Sequence, residues 1–187
     1  IEEMSVCWRE LARRAGLPGL FLVGARMNGP KSCLDAALIY EPRNSINALN
    51  HADKLEIRNG IRCFDYQMAW EKVLESQPFF EYNTYFCGIS GYDDTPRRGQ
   101  SGETLMQNTP EIFRQYLTKL LRKSIEYGNV YLFINAWNEW GEGMYLEPDE
   151  RNGYKYLEAV RDAVRQASAE DVPATVEKTE NTDYTEA

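Results

Sequence analysis

Short apolar runs without polar alternation, each passing into a helical pattern, constrain this chain more than any other feature it has. Gly19 to Gly24, Ala36 to Tyr40, Tyr85 to Ser90 and Val130 to Ala136 are each the length of a strand and apolar on both faces. A strand with one wet side would alternate apolar and polar residues, so these runs predict a parallel sheet covered on both sides, with Val130 to Ala136 a central strand.

The segments between them carry helix signals. Met4, Cys7, Trp8 and Leu11 recur at helical spacing before Gly16, and Asp65 is placed to cap a helix from about Tyr66 to Glu75. The clearest helix starts with Thr109 as N-cap and Pro110 at its first position. It has apolar rows Ile112/Tyr116/Leu120 and Phe113/Leu117/Leu121, carries Lys119, Arg122 and Lys123 near its end, and is closed by Gly128. Tyr156, Leu157, Val160 and Val164 mark a last helix, while Arg43 to Asn59 reads as a long polar connection with weak helical character. The expected fold class is α/β. About four strand-helix units are visible, and a closed (β/α)8 barrel takes roughly 250 residues, so residues 1–167 are expected to be the C-terminal half of a TIM-type barrel. Residues 168–187 hold six acidic residues and one basic residue, and are expected to be a disordered tail.

Charge and composition narrow the partners. Lys and Arg total 21 against 29 Asp and Glu, a net charge of -8, which argues against a nucleic-acid partner. No apolar window is long enough for a membrane span, and a soluble, cytoplasmic protein is expected. Cysteines at 7, 33, 63 and 87 form no CxxC pair, and His51 is the single histidine, so neither a zinc site nor a histidine-activated nucleophile is easily assembled. Four free, mostly buried thiols, a surface His51 and no metal or other cofactor are expected. The chain opens at Ile1 on a helical pattern with no leader-like segment, which reads as the start of a fragment.

In a parallel sheet the ligand face lies just past the C-terminal ends of the strands. Three polar clusters fall there: Tyr40-Glu41-Pro42, Asp93 to Arg98, and Trp137-Asn138-Glu139-Trp140-Gly141-Glu142-Gly143. The last is the most informative. Glu139 and Glu142 flank a turn, and cleavage of a glycosidic bond needs one carboxyl to protonate the leaving oxygen and one to act as base or nucleophile. Trp137 and Trp140 offer flat faces to a sugar ring, and Asn138 a hydrogen bond to its hydroxyls. A solvated loop with two core tryptophans would read the same way on spacing alone. Asp93, Asp94, Arg97 and Arg98 are either a charged clamp on substrate or a network that braces their own loop. Tyr40 and Glu41 are either subsite or structural residues.

The block from Trp137 to Gly143, continuing through Tyr145-Leu146-Glu147-Pro148-Asp149 and Gly153-Tyr154-Lys155-Tyr156-Leu157, resembles the C-terminal signature of the WbsX-type glycosyltransferase family, which is similar to glycoside hydrolase family 99. Asp93 and Thr95 to Arg98 match the family's W-D-N-T-P-R-R block, with Tyr92 in place of its Trp and Asp94 in place of its Asn. Trp8, Gly16 to Gly19 and Leu34 to Pro42 also fit. The resemblance implies a (β/α)8 barrel whose N-terminal half lies outside this chain, acting on an oligo- or polysaccharide. Carried over by position, it makes Glu139 the base that assists the sugar's 2-hydroxyl, Glu142 the general acid/base, and Glu147 a supporting or substrate residue. It also implies a setting in bacterial surface-polysaccharide (O-antigen) biosynthesis.

Two other functions compete. A nucleotide-sugar-dependent glycosyltransferase of the metal-assisted kind usually carries Asp-x-Asp, which this chain lacks, Glu147-Pro148-Asp149 being the nearest match. A truncated carbohydrate-binding remnant is the third reading, since half a barrel leaves two open sheet edges.

Overall fold

The structure, a computed structural model, describes residues 1–25, 32–79 and 83–169. The chain begins with α1 (Glu2–Arg14) and β1 (Val23–Ala25), followed by β2 (Ala36–Leu38) and α2 (Arg43–His51). Next come β3 (Glu56–Arg58), β4 (Ile61–Asp65) and α3 (Tyr66–Glu75), then β5 (Asn83–Tyr85) and β6 (Cys87–Ile89). A one-turn helix α4 (Thr95–Arg98) precedes β7 (Glu103–Met106) and the long α5 (Pro110–Glu126). The last elements are β8 (Phe133–Asn135), the paired β9 (Asn138–Glu139) and β10 (Met144–Tyr145), and α6 (Lys155–Ala169).

β1, β2 and β5 pair in parallel, and β6 pairs in parallel with β8. β5 and β6 are one run of chain interrupted at Phe86, whose carbonyl accepts the Phe133 N–H at 3.1 Å. The two pieces therefore read as one open array in the order β1, β2, β5/β6, β8. The fold is mixed α/β with parallel strands and helices, as the apolar runs require, but the described strands close no barrel. β1 and β8 each have one strand neighbour among the described residues.

That edge position corrects the reading of Val130 to Ala136. Only Phe133–Asn135 is strand, and Val130 and Tyr131 are 79% and 66% exposed, because no strand lies beyond β8 among the described residues to cover them. The strand expected from Gly19 likewise starts only at Val23. The supposed connection after Arg43 is the nine-residue α2 followed by β3, which forms an antiparallel hairpin with β4. β7 joins β4 in parallel, making a second small sheet beside the main one.

The helix caps are those the sequence indicates. The Asp65 carboxylate accepts the Met68 N–H at 2.9 Å, and the Thr109 hydroxyl accepts that of Ile112 at 3.3 Å. α3 and α5 pack on β6, and α6 packs on α5. Phe113, Leu117 and Leu120 of α5 are fully buried with Trp70 of α3, whose ring stacks on Tyr116 at 5.9 Å. α6 buries Tyr156 as expected and packs Val160 on the core, but it leaves Val164 exposed and buries Ala159, Ala163 and Ala167, small residues that let it lie close to α5. α1 buries Ser5 and Ala12 while Met4, Trp8 and Leu11 face solvent. Cys63 and Cys87 are buried, but Cys33 is half-buried and Cys7 exposed, and His51 is an exposed residue at the end of α2. Ser168 and Ala169, placed in the tail by the sequence, belong to α6, and 170–187 lie outside the described residues.

Phe113→Ala should lose about 3–5 kcal/mol of stability in urea unfolding, since the vacated core cannot collapse around α3 and β6. Leu11→Ala, on the exposed face of α1, should stay within about 0.5 kcal/mol of wild type in the same measurement.

Candidate active site

Past the end of β8 the chain turns back on itself. β9 and β10 pair antiparallel with Glu139 opposite Met144 and Asn138 opposite Tyr145, joined by a tight turn through Trp140–Glu142 and Gly143. Gly143 closes the turn in the left-handed region at φ 58°, where a side chain would be strained and would also come within 3.3 Å of Asp93. The hairpin is seated on the loop that follows β6. Asp93 N–H donates to the Glu142 carbonyl at 2.7 Å, and a Cβ on Gly91 would sit 2.9 Å from the Gly143 carbonyl oxygen.

This seating gathers several of the indicated side chains. The Glu142 carboxylate, about a quarter exposed, forms an ion pair with Arg97 of α4. Glu139 is exposed, and its Oε1 and the Arg97 Cδ lie 3.4 and 3.5 Å from the point a Gly141 Cβ would occupy. The two carboxylates and one guanidinium thus border the same turn. Trp140 stacks on Tyr145 with ring centroids 4.0 Å apart, and its Nε1–H donates to Glu147 Oε2 at 2.8 Å. One face of the indole is held against protein while the side chain stays 47% exposed. Trp137 is 52% exposed and Asn138 exposed beside it. Neither tryptophan is a core residue.

The other indicated residues are spent on the scaffold. Asp93 Oδ1 accepts the Thr95 N–H and hydroxyl at 2.9 and 2.6 Å, which starts α4. Asp94, almost wholly buried, accepts the Tyr92 hydroxyl at 3.0 Å and the Glu103 N–H at 2.6 Å, and lies 3.5 Å from Arg98. Asp93, Asp94 and Arg98 therefore brace their loop, whereas Arg97 reaches across to the hairpin. Tyr40 is half-buried at the end of β2. Glu41 has no exposed surface, because its carboxylate accepts the Ser45 N–H at 2.9 Å and the Asn44 amide at 3.3 Å at the start of α2. The carboxylate thus holds the start of α2.

Two features escaped the sequence reading. Tyr145 supports Trp140, and hairpin pairing of two-residue strands leaves too short a period to detect. Buried Glu103 is held between Arg62 at 2.6 Å and Arg43 at 3.0 Å, joining β7, β4 and α2. Such distant pairing has no local signature. Among the described residues, no group of three or more His, Cys, Asp or Glu is placed to hold a metal ion.

Burial pushes the Glu41 carboxyl up to about 7 from its usual 4.5, outweighing the opposing Ser45 and Asn44 hydrogen bonds. The unfolded chain releases this proton first, so the native state binds more protons between those pH values, and stability from this group falls as pH rises through them. Wild type should lose about 3 kcal/mol relative to Glu41→Gln between about pH 4.5 and 7, read by urea unfolding at a series of pH values. Parallel pH curves for the two proteins would contradict this.

With the geometry in hand, comparison with known proteins places the chain. Two curated proteins of Xanthomonas campestris pv. campestris, both described as "Uncharacterized protein WxcX", are similar to it. The one from strain B100 is 36% identical over 171 residues and the one from strain ATCC 33913 is 36% identical over 173 residues, each match covering 86% of this chain. The chain spans about a quarter of the length of these relatives, 24% in each case. No solved structure matches. The model of the family described as "Glycosyltransferase WbsX" matches residues 1–160, and the chain belongs to that family.

Proposed function

We propose that this chain carries the reacting groups of a carbohydrate-active enzyme that makes or breaks glycosidic bonds, with Glu139 and Glu142 as its paired carboxylates. The observation that supports this most is their convergence with Arg97 and the propped Trp140 around one turn at the end of a parallel strand. In this reading the open strand array is the C-terminal half of a (β/α)8 barrel, and the turn lies on its ligand face. Trp140 and Trp137 pack against the apolar face of a sugar ring, and Asn138 and Arg97 bond its hydroxyls. Glu139 takes the proton of the sugar's 2-hydroxyl as that oxygen attacks the anomeric carbon. Glu142 gives its proton to the departing glycosidic oxygen, then recovers one from the water or sugar hydroxyl that reopens the intermediate, while Glu139 returns its proton to the 2-oxygen released. The family description supports transfer as the second reading, in which the same carboxylates serve a nucleotide-sugar donor. The setting would be bacterial surface-polysaccharide metabolism.

The test uses the longest polypeptide that the gene encodes. Glu142→Gln should slow glycosides with poor leaving groups about 10²–10⁴-fold and largely spare activated aryl glycosides, which depart without protonation. Glu139→Gln should slow both. Wild-type rates in both variants, on any sugar or nucleotide sugar turned over, would remove the paired-carboxylate reading.

A further inference from the structure

A cleft of about 170 Å³ lies beside the hairpin, between the segment leading into α5 and the loop leading into α6. Asn108 and Thr109 form one wall, Arg151, Asn152 and Lys155 the other, and Tyr145 borders both the cleft and the hairpin turn. The Tyr145 ring also stacks on Trp140, so cleft and turn share this side chain. The space suits one small polar group or ring.

Its polar lining is uneven. Asn108 Nδ2 donates to the Tyr156 hydroxyl at 3.3 Å, and the Asp149 carboxylate accepts from Asn152, leaving both amides already oriented. Two carboxylates stand nearby. Asp149 accepts the Asn152 backbone N–H and side-chain amide, and the backbone N–H and Thr109 at the start of α5 hold the Glu111 carboxyl below its usual range. Arg151 and Lys155 stand in contrast. Both are exposed at the rim, and neither makes a side-chain hydrogen bond or ion pair among the described residues, although Lys155 lies within electrostatic range of Glu111. Two cations with unbonded side chains thus stand at the rim of a small polar cleft, with the Glu111 and Asp149 carboxylates held by their own helix start and loop.

We propose that this cleft binds the anionic group of an acidic saccharide, a carboxylate or a phosphoryl group held by Arg151 and Lys155, while a neighbouring ring packs on Trp140 across Tyr145. Arginine suits such a group because its planar fork matches two oxygens at once, and lysine adds a point charge. The inference rests on the carbohydrate reading above and narrows its substrate to acidic sugars.

Binding to the 187-residue chain itself tests it, without any need for turnover. Sodium glucuronate, inorganic phosphate and glucose are titrated in turn, with calorimetry for affinity and amide NMR shifts for location. Glucuronate or phosphate should bind and shift the signals of Asn108, Tyr145, Asn152 and Tyr156, and glucose should bind at least tenfold more weakly. Arg151→Ala/Lys155→Ala should weaken the anion at least tenfold with unchanged circular dichroism. Arg151→Gln alone, in the loop before α6, serves if the double variant fails to fold. Preference for glucuronate over phosphate assigns the anion to a uronate, and the reverse order to a phosphorylated sugar. No anion binding, equal binding of glucose, or indifference to both variants would overturn the proposal. Glu139→Gln/Glu142→Gln should leave anion binding unchanged. Anion binding that persists while the longest polypeptide turns over sugars at wild-type rates in Glu139→Gln and Glu142→Gln would remove the catalytic reading and keep this one.

Discussion

The close approach of α3 to β6 at Gly88 sets the position of everything downstream. A Cβ there would come within 3.1 Å of the Trp70 ring and 3.4 Å of Leu117, so only glycine lets the indole and α5 lie against the strand at this spacing. Once α3 is seated, the buried Tyr66 hydroxyl donates to the Ile89 carbonyl at 2.6 Å and approaches that of Ser90 at 3.2 Å, fixing the end of the strand. The loop leaving that strand carries Gly91 and Asp93, the two residues on which the hairpin rests. A packing contact in the core is thus linked, through four consecutive residues, to the turn that holds Glu139 and Glu142.

Acidic residues fall into two populations. Glu41, Asp94 and Glu103 are buried, and each has donors in its immediate surroundings: a helix start for Glu41, a tyrosine and a backbone N–H for Asp94, two guanidinium groups for Glu103. Burial of a carboxylate is tolerable only on those terms. Glu139 and Glu142 keep contact with solvent, Glu139 exposed and Glu142 about a quarter exposed in its ion pair with Arg97. Within one short stretch of chain, Asp94 and Arg97 show the same division, one locked into its loop and the other reaching toward the hairpin.

What the sequence disclosed follows from the range over which each interaction acts. The caps at Asp65 and Thr109 were legible because a cap is made with residues two or three positions away. The hairpin of β3 and β4 was equally local and was missed: Asn59-Gly60, both at positive φ, is a two-residue turn signal that the polar character of the segment hid. The buried stripe of α6 was legible only in part, because close packing on α5 selected Ala159 and Ala163 over larger apolar neighbours. Strand ends were unreadable for a related reason, since Val130 and Tyr131 are as apolar as a buried strand requires but have no partner strand beyond them among the described residues. In the proposed site, the Trp/Glu block was legible as a local cluster, while the division between bracing and reaching side chains in Asp93 to Arg98 depended on contacts with residues 103 and 142.

The aromatic residues of the hairpin carry the argument one step further. A tryptophan with one ring face in water forgoes part of the burial that makes Trp70 a core residue, so packing alone gives no reason to immobilise it. Trp140 is nevertheless fixed twice, by the Tyr145 stack and by the bond from its Nε1 to Glu147. Tyr145 itself stands 6.4 Å from Tyr156, which is anchored in the core through Phe113 at 5.6 Å. A ladder of rings therefore runs from the core to the surface and ends in an indole whose orientation is set before any ligand arrives. Restricting a side chain in this way reduces the entropy lost when a flat partner stacks on it, which is what a platform for a sugar ring requires beside two carboxylates.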